Sequence, residues 1–451
     1  MKGNRPFTKY GIIFYGCLIF AAVSFLSSCS LSKKIAKQAD SILFKDTIIS
    51  TGHIGISIYE PATNKYWYNY DAEKYFVPAS NAKLFTMYAA MKYLGDSLVG
   101  LRYQQTDSGL AIYPTGDPTF LNADFTQQPV FNFLKAQTNI MYNSAHFTDA
   151  LGKGWAWDDY MDPYMVQRSE FPIYSNLISV YNNGSAFNII PPNIPLHLQN
   201  QPLKDAYNVS RTISRKWDSN EVTMATSLLA PPKNVYQIPL VANYYQLPNF
   251  LSDTLQQKVK FIDKLIKDSS KANAKKFSKI YSQPTDSLLK PMLYTSDNFF
   301  AEQSLLMVSN EHLGYMGTDA IIDTLLKTDL RDVPQKPRWV DGCGLSRYNL
   351  FSPLSFVYIL NKAKNEFGIQ RLQSILPTGG QGTLKNFYQK DSSFIFAKTG
   401  SLSNNSAISG MLYSKKGKLL IFSVLANQFV GSATKVRHAV EKFLEAIREK
   451  Y

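Results

Sequence analysis

The chain has 451 residues, which is long for one ordinary compact domain, so two or three domains, some of them nested, are expected. Hydrophobic residues make up 45% and charged residues only 18% of the chain, which excludes a disordered or fibrous protein. The net charge of +14 favours anionic surroundings, but the sequence has no basic recognition motif and no zinc-finger spacing. We therefore expect no nucleic-acid partner.

The N-terminus has the pattern of an export signal. Basic residues up to Lys9 precede an apolar run over 12–26 that is short for a membrane span. The run ends in a Leu-Ser-Ser-Cys segment at Cys29 that resembles the bacterial lipobox. We predict a signal peptide over 1–28, a lipid on Cys29 and a polar, basic tether over 29–45. The alternative is an uncleaved anchor helix with a chance cysteine, and both interpretations export the domain.

The first folded elements are a β-hairpin and a helix. Residues 53–59 alternate between apolar and small or polar positions, 60–64 is a turn, and a return strand begins at Tyr66. Residues 80–94 contain neither Gly nor Pro and are followed by Gly95, so they predict a helix that begins at Ser80.

The middle of the chain, over 98–280, has short β-like stretches that Gly, Pro and Asn interrupt. This composition predicts an inserted β-rich region of one or two nested domains. Its lysine-rich segment 267–276 is typical of a solvated face or loop, and we assign it no functional role.

The C-terminal part returns to regular patterns. Helices are predicted around 284–310 and 353–366, and two strands over 409–413 and 419–425. Apolar residues at three-and-four spacing over 436–447 then predict an amphipathic helix. Together with the N-terminal hairpin, these elements predict an α+β fold.

Cysteine and histidine usage limits the chemistry. Cys17 leaves with the signal peptide and Cys29 carries lipid, so only Cys343 remains as a thiol and the mature chain has no disulfide. The five histidines are scattered, and neither Cys-x-x-Cys nor His-Glu-x-x-His occurs. We therefore expect no metal and no cofactor.

Ser80 and Lys83 are candidates for a nucleophile and its base. Positions three apart on a helix lie on one face, so the lysine amine reaches the serine hydroxyl, and a desolvated lysine accepts its proton near neutral pH. The helix N-terminus favours the developing negative charge. The spacing alone indicates only surface residues, because it recurs in three other pairs: Ser30/Lys33, Ser287/Lys290 and Ser432/Lys435.

Two later motifs change this interpretation. Ser296-Asp-Asn298 alone is typical of a helix cap or turn, and Lys398-Thr-Gly400 alone of an exposed strand end. In this order after Ser80 and Lys83, however, they form the pattern of penicillin-binding proteins and class A β-lactamases.

Each residue of these motifs has an expected role in acyl transfer. Ser296 relays a proton to the leaving amine, and Asn298 holds Lys83 and the substrate amide. Lys398 supplies positive charge, the Thr399 hydroxyl and nearby backbone bind a terminal carboxylate, and Gly400 lets substrate approach the strand edge.

The chain resembles the serine peptidase S13 family of D-alanyl-D-alanine carboxypeptidases and endopeptidases, the class C low-molecular-mass penicillin-binding proteins. The resemblance rests on seven segments: 78–83, 116–118, 154–159, 296–302, 341–347, 382–384 and 397–400. It implies a penicillin-binding-protein/β-lactamase-like catalytic domain over 46–97 and 281–451, split by the 98–280 insertion. It also implies a Ser80 acyl-enzyme on peptidoglycan stem peptides and β-lactams as covalent inhibitors.

Three further residues belong to the resemblance. Arg347 is expected near the cleft, where it meets a substrate carboxylate or forms a structural ion pair. Cys343 stands where relatives often have Ser, and we favour a small buried substitute over a tuned cleft residue. Ser401 stands where Thr often follows the Lys-Thr-Gly motif, and it keeps the hydroxyl group for substrate binding.

Two other functions stay open at this point. A β-lactamase shares the three motifs but needs a deacylating base, and we can assign none. A catalytically idle envelope scaffold is the second alternative, which the intact motifs disfavour. The expected location is the periplasm of a Gram-negative bacterium, with Cys29 anchored in the outer membrane because Ser30 rather than Asp follows it.

Overall fold

The computed structural model describes residues 31–184, 186–204, 210–228, 235–262 and 277–451. The predicted signal peptide, Cys17, Cys29 and the lysine-rich segment 267–276 lie outside these residues. Within the described ranges, no helix is both long enough and apolar enough to cross a bilayer.

The described residues form helices and strands in the following order along the chain. The helices are α1 (31–39), α2 (Lys83–Tyr93), α3 (Pro129–Lys135), α4 (Leu247–Leu255), α5 (Thr285–Tyr294), α6 (Asn298–Leu313), α7 (Thr318–Lys327), α8 (Pro353–Phe367), α9 (Ile369–Ile375) and α10 (Ala433–Lys450). The strands are β1 (His53–Glu60), β2 (Lys65–Tyr70), β3 (Ser97–Thr106), β4 (Gly109–Tyr113), β5 (Ile140–Asn143), β6 (Leu177–Asn182), β7 (Phe187–Ile190), β8 (Leu196–Gln199), β9 (Leu203–Lys204), β10 (Ser210–Arg211), β11 (Ile213–Arg215), β12 (Val222–Ala225), β13 (Val235–Pro239), β14 (Val259–Ile262), β15 (Ser278–Pro284), β16 (Ile395–Leu402), β17 (Asn405–Tyr413) and β18 (Leu419–Asn427).

An antiparallel five-stranded sheet, in the order β16-β17-β18-β1-β2, forms the centre of the catalytic part. Because side chains alternate along a strand, β18 supplies both faces: Ile421 packs into the core shared with α2, α5, α6 and α8, and Phe422 into the core shared with α10. Strand β16 lies at the edge of this sheet and carries the Lys-Thr-Gly motif. The fold is α+β, as predicted.

The expected tether is wrong, because residues 31–44 are helical and packed. Ile35, Ala39 and Leu43 are completely buried in the same core as α10. Their spacing of four places them on one face of a helix. The lysines between these residues give the segment the composition of a polar linker, although its apolar face packs into the core.

The β-rich region between α2 and α5 has a hydrophobic core of its own. A five-stranded sheet in the order β14-β5-β4-β3-β15 is its largest sheet. Its first and last strands, β3 and β15, pair antiparallel, and Ser97 lies opposite Pro284. The chain therefore leaves and re-enters the catalytic part at adjacent points, and the bounds 98–280 stay a prediction.

The helix predicted around 284–310 is two helices. Helix α5 ends at Tyr294, Ser296 has a left-handed φ of 64°, and Asp297 caps α6 by accepting a hydrogen bond from Phe300 N at 2.8 Å. A left-handed residue interrupts the helix, and the aspartate begins the next one. The break places Ser296 and Asn298 at a helix N-terminus.

Candidate active site

Ser80 lies in a tight turn that leads into α2. A 3₁₀ turn over Ala79–Ala82 precedes the α-helix, so the predicted helix starts at Ser80 only as a 3₁₀ turn. Ala79 has a φ of 48°, which is unusual for a residue with a Cβ atom. The Ser80 side chain is partly exposed, whereas Lys83 is completely buried. The turn thus presents the hydroxyl to the surface above a buried amine.

Three oxygen atoms surround the Lys83 amine. Its Nζ donates to Ser80 Oγ at 3.0 Å, Asn298 Oδ1 at 2.7 Å and the carbonyl oxygen of Cys343 at 2.7 Å. Burial lowers the pKa of Lys83, and the nearby Cys343 and Asp341 oppose this shift. A lysine with a lowered pKa loses its proton more readily, so this geometry suits proton abstraction from Ser80.

Asn298 links the amine to the inserted region. Its Nδ2 donates to the carbonyl oxygen of Tyr164 at 2.9 Å, while its Oδ1 accepts from Lys83. Ser296 is partly exposed two residues earlier, and its hydroxyl makes no hydrogen bond to another side chain within the part of the chain that the structure describes. The structure therefore joins Asn298 to Lys83 directly and leaves the Ser296 hydroxyl available to a substrate.

Lys398 is completely buried on the edge strand. Its Nζ donates to the carbonyl oxygen of Thr399 at 2.7 Å. Burial first, and then the positive charges of Lys83 and Arg437, hold the pKa of Lys398 well below its usual range. Burial therefore opposes the positive charge expected of this residue. An anionic ligand would favour it again.

Two glycines allow the backbone to pack closely around the Ser80 turn. A Cβ atom on Gly400 would lie 2.7 Å from the carbonyl oxygen of Pro78 and 3.0 Å from the backbone nitrogen of Ser80. Gly344 has a φ of 88°, and a Cβ atom there would overlap the carbonyl oxygen of Ala79. The missing side chain of Gly400 therefore makes room for the chain's own turn, and the close approach of substrate expected at this residue stays a prediction.

Arg347 and Ser401 lie near the far end of the edge strand. Arg347 is exposed, and its Nη1 lies 3.5 Å from the carbonyl oxygen of Ser403 in the β16–β17 turn. No ion pair of Arg347 occurs among the described residues, so a structural ion pair finds no support. Ser401 is exposed, and its hydroxyl accepts a hydrogen bond from Arg437 Nη2. Thr399, two residues before, is buried.

A buried charge network that the sequence did not reveal supports Lys83 from behind. Arg168, in the inserted region, pairs with Glu302 at 3.3 Å, and both side chains are buried. The other oxygen of Glu302 accepts from Cys343 N at 2.7 Å, and the carbonyl oxygen of Cys343 accepts from Lys83. Because Glu302 lies one turn after Asn298 on α6, this helix holds Lys83 both directly and through the Cys343 peptide.

The Cys343 thiol is buried next to acidic groups. Its Sγ lies 3.7 Å from Asp341 Oδ2, and burial raises the pKa of Cys343 well above its usual range. Asp341 also accepts from Gly344 N at 2.8 Å and Ser346 N at 2.7 Å. Glu302, Asp341 and Cys343 lie close enough to share a metal ion. Hydrogen bonds from within the protein already account for the two carboxylates.

Comparisons with known proteins give the family of the chain. The model of the D-Ala-D-Ala carboxypeptidase 3 (S13) family matches residues 35–447. The chain is 23% identical over 412 residues to the D-alanyl-D-alanine carboxypeptidase DacB of Haemophilus influenzae, which covers 80% of this chain and 82% of that protein. It is 24% identical over 452 residues to a D-alanyl-D-alanine carboxypeptidase of Actinomadura sp., covering 89% and 82%.

The same fold occurs in a solved structure. The crystal structure of penicillin binding protein 4 (dacB) from Haemophilus influenzae matches with a TM-score of 0.68 at 17% sequence identity. The match covers 92% of this chain and 99% of that chain.

Proposed function

The chain belongs to the D-Ala-D-Ala carboxypeptidase 3 (S13) family, and from this membership we propose that it hydrolyses peptidoglycan stem peptides through an acyl-enzyme on Ser80. It is a serine-type D-Ala-D-Ala carboxypeptidase/endopeptidase and a penicillin-binding enzyme. One observation carries the mechanism: the buried Lys83 amine contacts Ser80 Oγ at 3.0 Å and is held there by Asn298 and the Cys343 carbonyl.

Acylation begins with a proton transfer. Neutral Lys83 takes the proton of Ser80 Oγ, and the oxygen attacks the carbonyl carbon of the penultimate D-alanine. Negative charge develops on the carbonyl oxygen and is stabilised by backbone N–H groups, including that of Ser80. The Ser80 N–H belongs to the first turn of its helix, where N–H groups have no acceptor within the helix.

The leaving group then departs, and water releases the product. The amine of the leaving D-alanine takes a proton through Ser296, the carbon–nitrogen bond breaks, and an ester to Ser80 remains. Water hydrolyses this ester and regenerates the serine. Endopeptidase cleavage of a cross-link is the same chemistry with a larger leaving group, and a β-lactam acylates Ser80 by opening its ring.

A labelled penicillin tests the nucleophile. We expect a covalent adduct with the wild-type chain and none with Ser80→Ala. Absence of an adduct with folded wild-type protein would favour the idle scaffold instead. Rapid turnover of a chromogenic cephalosporin would favour a β-lactamase.

Defined muropeptides test the substrate. Monomeric pentapeptide reports carboxypeptidase activity, and a cross-linked dimer reports endopeptidase activity, with Ser80→Ala as the control for both. Cleavage of neither substrate by a protein that binds penicillin would contradict the proposed reaction.

The location is a separate part of the proposal. The lipobox-like segment before Cys29 supports a periplasmic, lipid-anchored protein, and Ser30 rather than Asp after Cys29 supports the outer membrane as its location. Mass spectrometry of the mature N-terminus is expected to find a diacylated Cys29, and Cys29→Ser is expected to release the protein from the membrane fraction. An unmodified N-terminus at Met1 contradicts this part alone.

A further inference from the structure

Arg437 lies beside the end of the edge strand and is not part of any motif. It comes from the first turns of α10, and its Nη2 donates to the Ser401 hydroxyl. Its guanidinium carbon lies 6.0 Å from the centre of the Phe387 ring, a cation–π distance. The side chain thus reaches from the C-terminal helix to the strand that carries the Lys-Thr-Gly motif.

Arg437 and Thr399 line the same cavity between α10 and the edge of the sheet. Ser406 of β17 contributes a second hydroxyl, and the remaining walls are largely apolar, including Phe387 and Val440. Thr399 and Ser401 are two residues apart on β16, so their side chains lie on the same face of the strand. The structure therefore brings hydroxyl groups and one guanidinium together on that face.

Among the described residues, the Arg437 guanidinium has no anionic partner. No ion pair of Arg437 occurs in the described parts of the chain, and its Nε is buried without a hydrogen-bond acceptor. Glu441, one turn later on α10, is engaged elsewhere: Oε1 accepts from Tyr388 N, and Oε2 lies 2.8 Å from His438 Nδ1. A buried donor without an acceptor is costly, so a ligand that supplies oxygen atoms there gains a strong contact.

We propose that Arg437, together with Thr399 and Ser401, binds the α-carboxylate of the leaving residue and thereby determines specificity for substrates that carry this carboxylate. This inference rests on the proposed function and deepens it. A guanidinium presents a planar fork of donors that matches a carboxylate. Binding of the anion also offsets the repulsion between Arg437 and Lys398.

The proposal separates Arg437 from Arg347. Arg347 is exposed, and its one hydrogen bond among the described residues is to the carbonyl oxygen of Ser403 in the β16–β17 turn, at 3.5 Å. Arg437 is half-buried beside the two hydroxyl side chains. A desolvated charge interacts more strongly with an anion than an exposed one does, so Arg437 is the stronger carboxylate ligand.

The test compares a diacylated Lys-D-Ala-D-Ala tripeptide with its C-terminal amide. We expect Arg437→Gln to lower kcat/KM for the acid by roughly 10- to 100-fold, the range of a charged hydrogen-bond pair, and for the amide by less than about 2-fold. Arg437→Lys, which keeps the charge but loses the fork, is expected to fall between. Arg347→Gln is the matched control and is expected to leave the acid/amide ratio within about 2-fold.

Two outcomes would overturn the proposal. An equal loss on acid and amide means that Arg437 only supports the position of Ser401. A fall of the acid/amide ratio in Arg347→Gln but not in Arg437→Gln assigns the carboxylate to Arg347.

A binding measurement keeps this inference distinct from the proposed reaction. Calorimetry with Ser80→Ala compares acid and amide peptides without turnover, and the preference for the acid is expected to vanish in Ser80→Ala/Arg437→Gln. If the wild-type chain cleaves neither peptide but this preference depends on Arg437, the proposed reaction fails and the carboxylate site stands. If the preference persists without Arg437, the carboxylate site fails.

Discussion

Two sides of the site hold Ser80 and Lys83 by different physical means. On the glycine side, Gly344 and Gly400 leave room for the Ala79 peptide, and contact is backbone against backbone. On the charge side, Arg168 and Glu302 support the peptide that holds Lys83, and contact is between buried charges and hydrogen bonds. The nucleophile is therefore positioned by volume and its base by charge.

The difference has consequences for tolerance to change. Backbone packing leaves no side chain to move aside, so one added methyl group is expected to displace the turn. On the charge side, the stabilising contacts depend on whether the buried acidic and basic groups are ionised. Their strength therefore changes with pH. Substitutions on the first side are expected to act through geometry and on the second side through pH and stability.

The largest effect is expected from Gly344→Ala. The left-handed backbone costs alanine about 1–2 kcal/mol, and overlap of its Cβ with the Ala79 carbonyl oxygen adds about 1–3 kcal/mol. Displacement of the turn is expected to slow acylation by labelled penicillin more than about 100-fold. Gly417→Ala is the matched control, because Gly417 has a φ of 75° and its Cβ would meet nothing within 4 Å. Wild-type acylation by Gly344→Ala contradicts positioning by volume.

Arg168→Met tests the charge side through stability. It leaves Glu302 buried without its cation, which is expected to cost about 3–5 kcal/mol of unfolding free energy in urea. Arg331→Met is the control, since Arg331 and its partner Asp332 are both exposed and the loss is expected below about 1 kcal/mol. Equal losses in the two variants would show that the buried pair does not support the fold.

The same variant has an expected pH dependence. Burial already raises the pKa of Glu302 in the folded protein, and Arg168 opposes this rise. Without Arg168, the pKa of Glu302 in the folded variant rises further above the ordinary glutamate value of 4.5. The folded variant is therefore favoured below pH 4.5, where Glu302 is protonated, and it loses this stability as the pH rises through the folded pKa. The deficit relative to wild type is therefore expected to grow with pH in urea titrations. A deficit that does not change with pH contradicts this account.

Glu302→Gln tests the charge side through catalysis. The negative charge of Glu302 raises the pKa of Lys83, against the larger effect of burial. Its removal is expected to lower that pKa, so the amine stays neutral to lower pH and the acid limb of the acylation rate moves in that direction. The rate constant for labelled penicillin, measured against pH, checks this shift. Asp323→Asn, on the exposed pair with Lys327, is the control and is expected to leave the limb in place.

The sequence predicted the residues of the acyl-transfer chemistry better than the buried ion pair that supports them. Ser80, Lys83 and Asn298 were found because acyl transfer needs these residue types in this order, and the structure brings them within hydrogen-bond distance. Arg168 and Glu302 carried no comparable signal, since a buried ion pair between distant segments has no local period or spacing.

Local patterns also hid two features of the fold. The packed face of α1 buries Ile35 and Ala39, with Leu31 and Ala36 partly buried beside them. Several lysines lie between these residues, so the composition resembles that of a linker. The break at Ser296 depends on a left-handed residue that is not a glycine, which sequence does not indicate. Both depend on tertiary packing, which overrides composition and propensity.

The smallest effect is expected from Cys343→Ser. Lys83 contacts the backbone carbonyl of this residue and not its thiol, so the substitution leaves that contact intact. A serine hydroxyl can donate to Asp341 Oδ2, which the thiol approaches at 3.7 Å. We expect acylation within about 3-fold of wild type and stability within about 1 kcal/mol.

Because the thiol is buried and its pKa is raised, iodoacetamide is also expected to leave acylation of the wild-type chain unchanged. A large loss in both Cys343→Ser and Cys343→Ala would instead assign the thiol a role at the cleft, and the charge side would then act through a side chain as well as a peptide.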